Sequence, residues 1–150
     1  MPTDPTPRIA ASFERQAIMA TLGASLARVA PGEVDIALPF RADLTQQHGF
    51  LHAGIVATIV DSACGYAALS MMEPGTAVLS VEFKVNLLAP ARGVRFLACG
   101  RVVRAGRTVT VVSGELRAFD DDAAAGSGGT VVAIMTGTMM TLRDRPGLSD

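Results

Sequence analysis

Polar and hydrophobic positions alternate with different periods along this chain, and one stretch has no period at all. From Ala53 to Met72 the sequence AGIVATIVDSACGYAALSMM is apolar on every side and carries one charge, Asp61. Twenty residues are too many for a buried strand, so the stretch reads as a helix enclosed all round. Ahead of it, Ala11 to roughly Ala27 shows a helical pattern with Phe13, Ile18, Met19 and Leu22 apolar. Residues Met1 to Arg8 hold three prolines, and residues 1–10 read as a flexible arm. Two short alternating runs, Ser25–Val29 and Val34–Leu38, meet at Pro31-Gly32 and predict a hairpin.

Beyond the apolar run, Glu73-Pro74-Gly75 breaks the pattern, and Val78–Leu88 resumes at period two. That period puts Val81, Phe83, Val85 and Leu87 on one face and Ser80, Glu82 and Lys84 on the other. Val94–Val103 and Thr108–Phe119 predict an antiparallel pair around Arg104-Ala105-Gly106-Arg107. A last strand, Val131–Leu142, follows Asp120–Gly129, an aperiodic segment read as a mobile hairpin loop, and the tail at 143–150 reads as frayed. No repeat or linker divides the chain, so residues 11–142 form one α+β domain: a curved antiparallel sheet wrapped around one long central helix.

Composition narrows the function classes. With 150 residues, 49% hydrophobic and a net charge of -1, the chain describes one ordinary globular domain. A near-neutral balance with one Tyr and no Trp offers no footprint for nucleic acid. A membrane span is rejected, because Asp61 at its centre would cost roughly 2.5–3.5 kcal/mol and no Lys or Arg flanks either end. The MPTDPTPR start has no apolar core of signal-peptide type, so the expected compartment is the cytoplasm. Cys64 and Cys99 sit in apolar segments and read as small, reduced core residues. His48 and His52 are spaced i, i+4 but lie ahead of the helix with no third ligand, which argues against a metal.

Asp61 is where chemistry is expected, since an ionised carboxylate in an apolar helix must be paired, wetted or used. The first amides of that helix, Ala53 and Gly54, lack internal partners and could hold the oxygen of a carbonyl under attack. Asp61 would then serve as general base or as nucleophile, and the residues leave both roles open. Eight helical residues separate Ala53 from Asp61, about 12 Å at 1.5 Å each. One carbonyl cannot touch both, so the acid serving one helix start must come from another copy of the chain. A two-fold dimer with antiparallel helices would hold two equivalent sites, each with Gln46, His52 and Ala53 from one subunit and Asp61 from the other.

These residues, Gln46-x5-His52-Ala53-Gly54-x6-Asp61, with Ser80-Val81-Glu82-Phe83 and Asn86-Leu87-Leu88-Ala89-Pro90 on the following strand, resemble the hotdog-fold thioesterases, and within them the PaaI-like group. The resemblance spans about residues 15–142. It implies an acyl-CoA thioesterase acting on an aryl or short- to medium-chain ester, with coenzyme A as part of the substrate and no separate cofactor. It implies that Ala53 supplies the oxyanion amide, that Gln46 contacts the thioester or the water, and that Asp61 comes from the opposite subunit of a homodimer, with dimers often paired into tetramers. It also implies a water-holding serine at Ser80 and assigns Asn86 to substrate binding. Ala53 departs from the common pattern, which has glycine there.

For His52 an orienting role is favoured over acid–base work. The acyl pocket is expected among Val56, Ile59, Val60 and Met71 or Met72. Arg101, Arg104 and Arg107 stand near one turn, where Arg104 and Arg107 could meet coenzyme A phosphates. Two other readings stay open. A hotdog hydratase or dehydratase would act on enoyl thioesters without releasing thiol. A non-catalytic acyl-CoA-binding module would tolerate replacement of Asp61.

Overall fold

The computed structural model describes residues 3–121 and 128–150. Two short helices, α1 (Thr6–Arg15) and α2 (Ala17–Leu22), lead into the hairpin β1 (Ser25–Ala30) and β2 (Glu33–Pro39). The long helix α3 (Ala53–Leu69) follows, then β3 (Ala77–Leu87), β4 (Arg95–Ala105), β5 (Val109–Phe119) and β6 (Thr130–Leu142). The six strands form one antiparallel sheet in the order β1-β2-β4-β5-β6-β3, wrapped on α3. This is the curved sheet around one helix that the pattern of elements implied, and the hotdog fold that the resemblance implied.

The expected helix from Ala11 to Ala27 is corrected at three points. It begins at Thr6, inside the segment read as an arm, and Ile9 is fully buried. It breaks at Gln16, whose backbone is extended (φ -82°, ψ 95°), and it stops at Gly23, whose left-handed φ of 71° ends a helix at little cost in a residue without Cβ. Ser25 therefore starts a strand. The terminal tail also differs from the frayed reading: Asp150 pairs with Arg8, and the Arg8 guanidinium donates to the Met72 carbonyl at 2.7 Å. Of the expected loop at Asp120–Gly129, residues 122–127 lie outside the described residues.

Close approach of helix to sheet explains why α3 can be apolar all round. Gly100 on β4 pairs with Gly114 on β5. A Cβ at Gly100 would lie 2.3 Å from the Ala63 backbone, and one at Gly114 would lie 2.6 Å from Val60 Cγ1. Glycine at both places lets α3 sink onto the sheet, where Ile59, Val60, Ala63 and Cys64 are sealed with Ile36, Phe96, Leu116 and Met135. No helix among the described residues is long and apolar enough to cross a membrane.

β3 is an edge strand of eleven residues with one side unpaired. Leu79, Val81, Phe83 and Leu87 are all exposed on it in the single chain. Its register against β6 shifts between Ser80 and Glu82, a β-bulge with Val81 as the extra residue. The bulge overturns part of the period-two reading. Ser80 pairs with Met139 and Phe83 with Gly137, so Ser80 shares the helix-facing side with Phe83 and Val85 instead of the side with Glu82 and Lys84.

Candidate active site

The segment ahead of α3 is built to present its first turn. Thr45 bridges Leu51, the His52 N–H donates to Leu44 O at 3.0 Å, and the Leu51 N–H donates to Ala91 O at 3.0 Å. Gln46 Oε1 accepts from the N–H groups of His48 (2.6 Å) and Phe50 (3.2 Å). Those two bonds fix which end of the amide is which and leave its NH2 group as a donor. Gln46, Leu51, Ala53, Val56, Leu88 and Pro90 wall a cavity of about 420 Å³ at this helix end.

His52 is the N-cap of α3, and its Nδ1 accepts the Gly54 N–H at 2.8 Å. An accepting Nδ1 places the proton of the neutral ring on Nε2. The side chain is thereby occupied as a cap, in keeping with an orienting role. The same bond corrects one expectation, because the Gly54 amide is taken and cannot also serve a substrate oxygen. The Ala53 N–H is left with no acceptor among the described residues, at the positive end of a seventeen-residue helix.

Two turns further on, Asp61 lies half-buried on the side of α3 that the sheet does not cover, and Ser80 Oγ donates to its Oδ1 at 2.8 Å. Desolvation raises the Asp61 pKa above the ordinary carboxylate range, opposed by the Ser80 hydrogen bond. A carboxylate made more basic, held by one hydroxyl and open on its other oxygen, is equipped to take a proton from water. Asp61 and Ser62 line two adjoining hollows, one reaching back to Gly54 and Phe83, the other running on to Gly65 and Tyr66.

Sequence reasoning missed Gln16, which reaches this face from the break between α1 and α2. Its Nε2 donates to Tyr66 Oη at 3.0 Å and its Oε1 accepts from Ser62 Oγ at 3.0 Å. The only signal in the sequence was a polar residue interrupting an apolar helical pattern.

Other candidates fall away from these groups. Val56 lines the cavity at the helix start, whereas Ile59 and Val60 are fully buried beneath the sheet and have no surface to offer an acyl chain. Met71 and Met72 sit beyond the far end of α3 against the N-terminal segment. Asn86 pairs with Ile134 and faces the outer side of the sheet, opposite Val85, in a hollow with Cys99, Arg101 and Glu115. Arg101 is committed to Asp35 at 2.6 Å. Arg104 and Arg107 are exposed at the β4–β5 end of the sheet, separated from Ser80 on β3 by β5 and β6. Both cysteines are free and buried, and burial pushes the thiols up to about 12 for Cys64 and about 11 for Cys99.

A curved antiparallel sheet wrapped around one long helix defines a hotdog fold. Residues 48–125 match the family model described as the thioesterase superfamily, more than half of the chain. The backbone superposes with a TM-score of 0.86 on a thioesterase family protein from Silicibacter pomeroyi, 51% identical, covering 92% of this chain and 98% of that one. The acyl-coenzyme A thioesterase 13 of Homo sapiens is 31% identical over 93 residues, 61% of this chain and 66% of that protein. The E. coli PaaI protein from the phenylacetic acid degradation operon shares the fold, with a TM-score of 0.75 at 21% identity over 93% of this chain and 91% of that one. The chain belongs to the thioesterase superfamily and is a thioester hydrolase.

Proposed function

We propose that this protein hydrolyses acyl-CoA thioesters as a cytoplasmic homodimer with sites shared between copies. Asp61 on the uncovered side of α3, held by Ser80 and raised in basicity by burial, carries the reading. The Ala53 N–H of one copy holds the thioester oxygen with help from the Gln46 amide. Asp61 of the other copy deprotonates a water, whose oxygen attacks the carbonyl carbon, or attacks that carbon itself to form an anhydride that water afterwards hydrolyses to free acid and the Asp61 carboxylate. In either route the C–S bond breaks and the coenzyme A thiolate leaves and takes up a proton. Arg104 and Arg107 are the candidates for its phosphates.

Support for the shared site comes from distance and from surface. About 12 Å of helix separates Ala53 from Asp61. The β3 edge exposes Leu79, Val81 and Phe83, a long apolar edge that a second copy would cover. Charge on that edge, as in Val81→Lys, is expected to give monomers in sedimentation and to abolish release of thiol. A monomeric variant with full activity would overturn the shared site.

The test of function is a panel of aryl-, short- and medium-chain acyl-CoA esters with thiol release recorded, beside Asp61→Asn. Loss of about 10²-fold or more in the variant is expected. Consumption of an enoyl ester without thiol release would instead indicate a hydratase, and binding without turnover a carrier module.

A further inference from the structure

Gly65 stands in the interior of α3, one turn beyond Asp61 on the same face, and a Cβ built there meets nothing within 4 Å. Glycine inside a helix costs about 1 kcal/mol relative to alanine. At Gly100 and Gly114 the sheet requires that absence of a side chain, and at Gly65 no neighbour does. What lies over Gly65 is a hollow of about 310 Å³, walled by Ser12, Gln16, Tyr66, Val78 and Leu148, with Asp61 and Ser80 at one end. An apolar cavity of about 150 Å³ holds a benzene molecule, so this one has room for a six-carbon chain or a ring with a substituent.

Its walls are unequal in polarity. Tyr66 Oη receives the Gln16 amide and lies beside the Ser12 hydroxyl, a cluster within the hollow and next to the turn that bears Asp61. A Tyr hydroxyl that accepts from Gln16 still has its own proton to give. Residues 147–150 close the hollow beyond Tyr66, anchored where Asp150 meets Arg8 and where the Asp150 N–H donates to Thr76 O.

Resting on the thioesterase reading above, we infer that this hollow receives the acyl group, that Gly65 is kept small to admit it, and that Tyr66 with Gln16 selects acyl groups bearing a hydrogen-bonding substituent at their far end. The thioester carbonyl would stay at Asp61, and the acyl chain would run along α3 towards Tyr66. None of these three residues touches the reacting atoms, and they act as specificity determinants.

Three esters test this on the intact protein: acetyl-CoA, hexanoyl-CoA and 6-hydroxyhexanoyl-CoA, with kcat/KM read for each. Gly65→Leu is expected to lower the hexanoyl-to-acetyl ratio about tenfold or more, and Gly65→Ala by a smaller factor in the same direction. Tyr66→Phe is expected to lower the hydroxyhexanoyl-to-hexanoyl ratio about five- to tenfold, the worth of one hydrogen bond. Thermal melts establish that each variant is folded, and Tyr66→Phe, which removes one atom, decides the polar half if Gly65→Leu does not fold. Ratios unchanged in folded variants would overturn the inference while leaving the thioesterase reading intact. Failure of the unaltered protein on every acyl-CoA ester would overturn both.

Discussion

The two sides of α3 are made of similar residues and do opposite things. Towards the sheet the fit is so close that a single added carbon would collide with the Ala63 backbone at Gly100 and with the Val60 and Cys64 side chains at Gly114. Towards α1 and the β3 edge, Asp61, Ser62 and Gly65 border open space. Apolar composition therefore does not say which side of a helix is core. In this fold the side that the sheet leaves bare is where a charged group can remain, because water, a substrate or a second copy can reach it.

The sharpest way to break that contrast is Asp61→Asn, which should abolish catalysis by about 10²-fold or more while raising stability. The Asp61 pKa is raised by burial, so its ionised form is disfavoured in the folded state. Its contribution to stability is greatest below the unfolded value near 3.8 and is lost as pH rises through the higher folded value. Removing the charge should accordingly raise Tm by about 1–3 °C at pH 7, with the gain fading as pH falls towards 4 in scanning calorimetry. A variant that is less stable at pH 7 would mean the carboxylate holds the fold together.

Glycine substitutions compare the two sides directly. Gly100→Ala forces a Cβ against the Ala63 backbone and should cost about 2–3 kcal/mol, read as a lower denaturant midpoint at unchanged slope. Gly65→Ala meets no neighbour and should stabilise by about 0.5–1 kcal/mol in the same experiment. Equal effects at the two positions would erase the distinction between them.

A subtler change is Ser80→Ala. The Ser80 hydrogen bond lowers the Asp61 pKa, so its loss raises that pKa further. The acid limb of the pH–rate profile should move to higher pH, with kcat down about tenfold at neutral pH. An unmoved limb would detach Asp61 from the titration that governs the rate. Smallest of all, the native protein should react negligibly with thiol reagents, because burial pushes the Cys64 and Cys99 thiols up to about 12 and about 11. Fast labelling of the folded chain would show that one of them is not sealed.

Much of the architecture was written in local pattern. The unbroken apolar run identified α3, period-two runs located β3 to β6 within a few residues, and Pro31-Gly32 marked the hairpin. The placement of Gln46, His52, Ala53 and Asp61 along α3 and its lead-in loop was legible because spacing within one helix is a local property. The Gln16 break was not legible, since the side chain that stabilises it bonds to Tyr66 and Ser62 on a helix some 50 residues away. Nor was the side that Ser80 faces, because one extra residue in a strand reverses it relative to every later side chain and is set by the partner strand.

Sequence alone determined the order of elements, the lone carboxylate in an apolar helix, and the separation that keeps Ala53 and Asp61 from sharing one carbonyl, all of which follow from chain distance and helical rise. Only the tertiary structure decided which amide stays free at the helix start, which hydroxyl holds Asp61, and that Gly65 opens on a hollow while Gly100 and Gly114 do not. Those outcomes depend on what packs across the helix from each residue, and packing partners distant in sequence leave no trace in local periodicity.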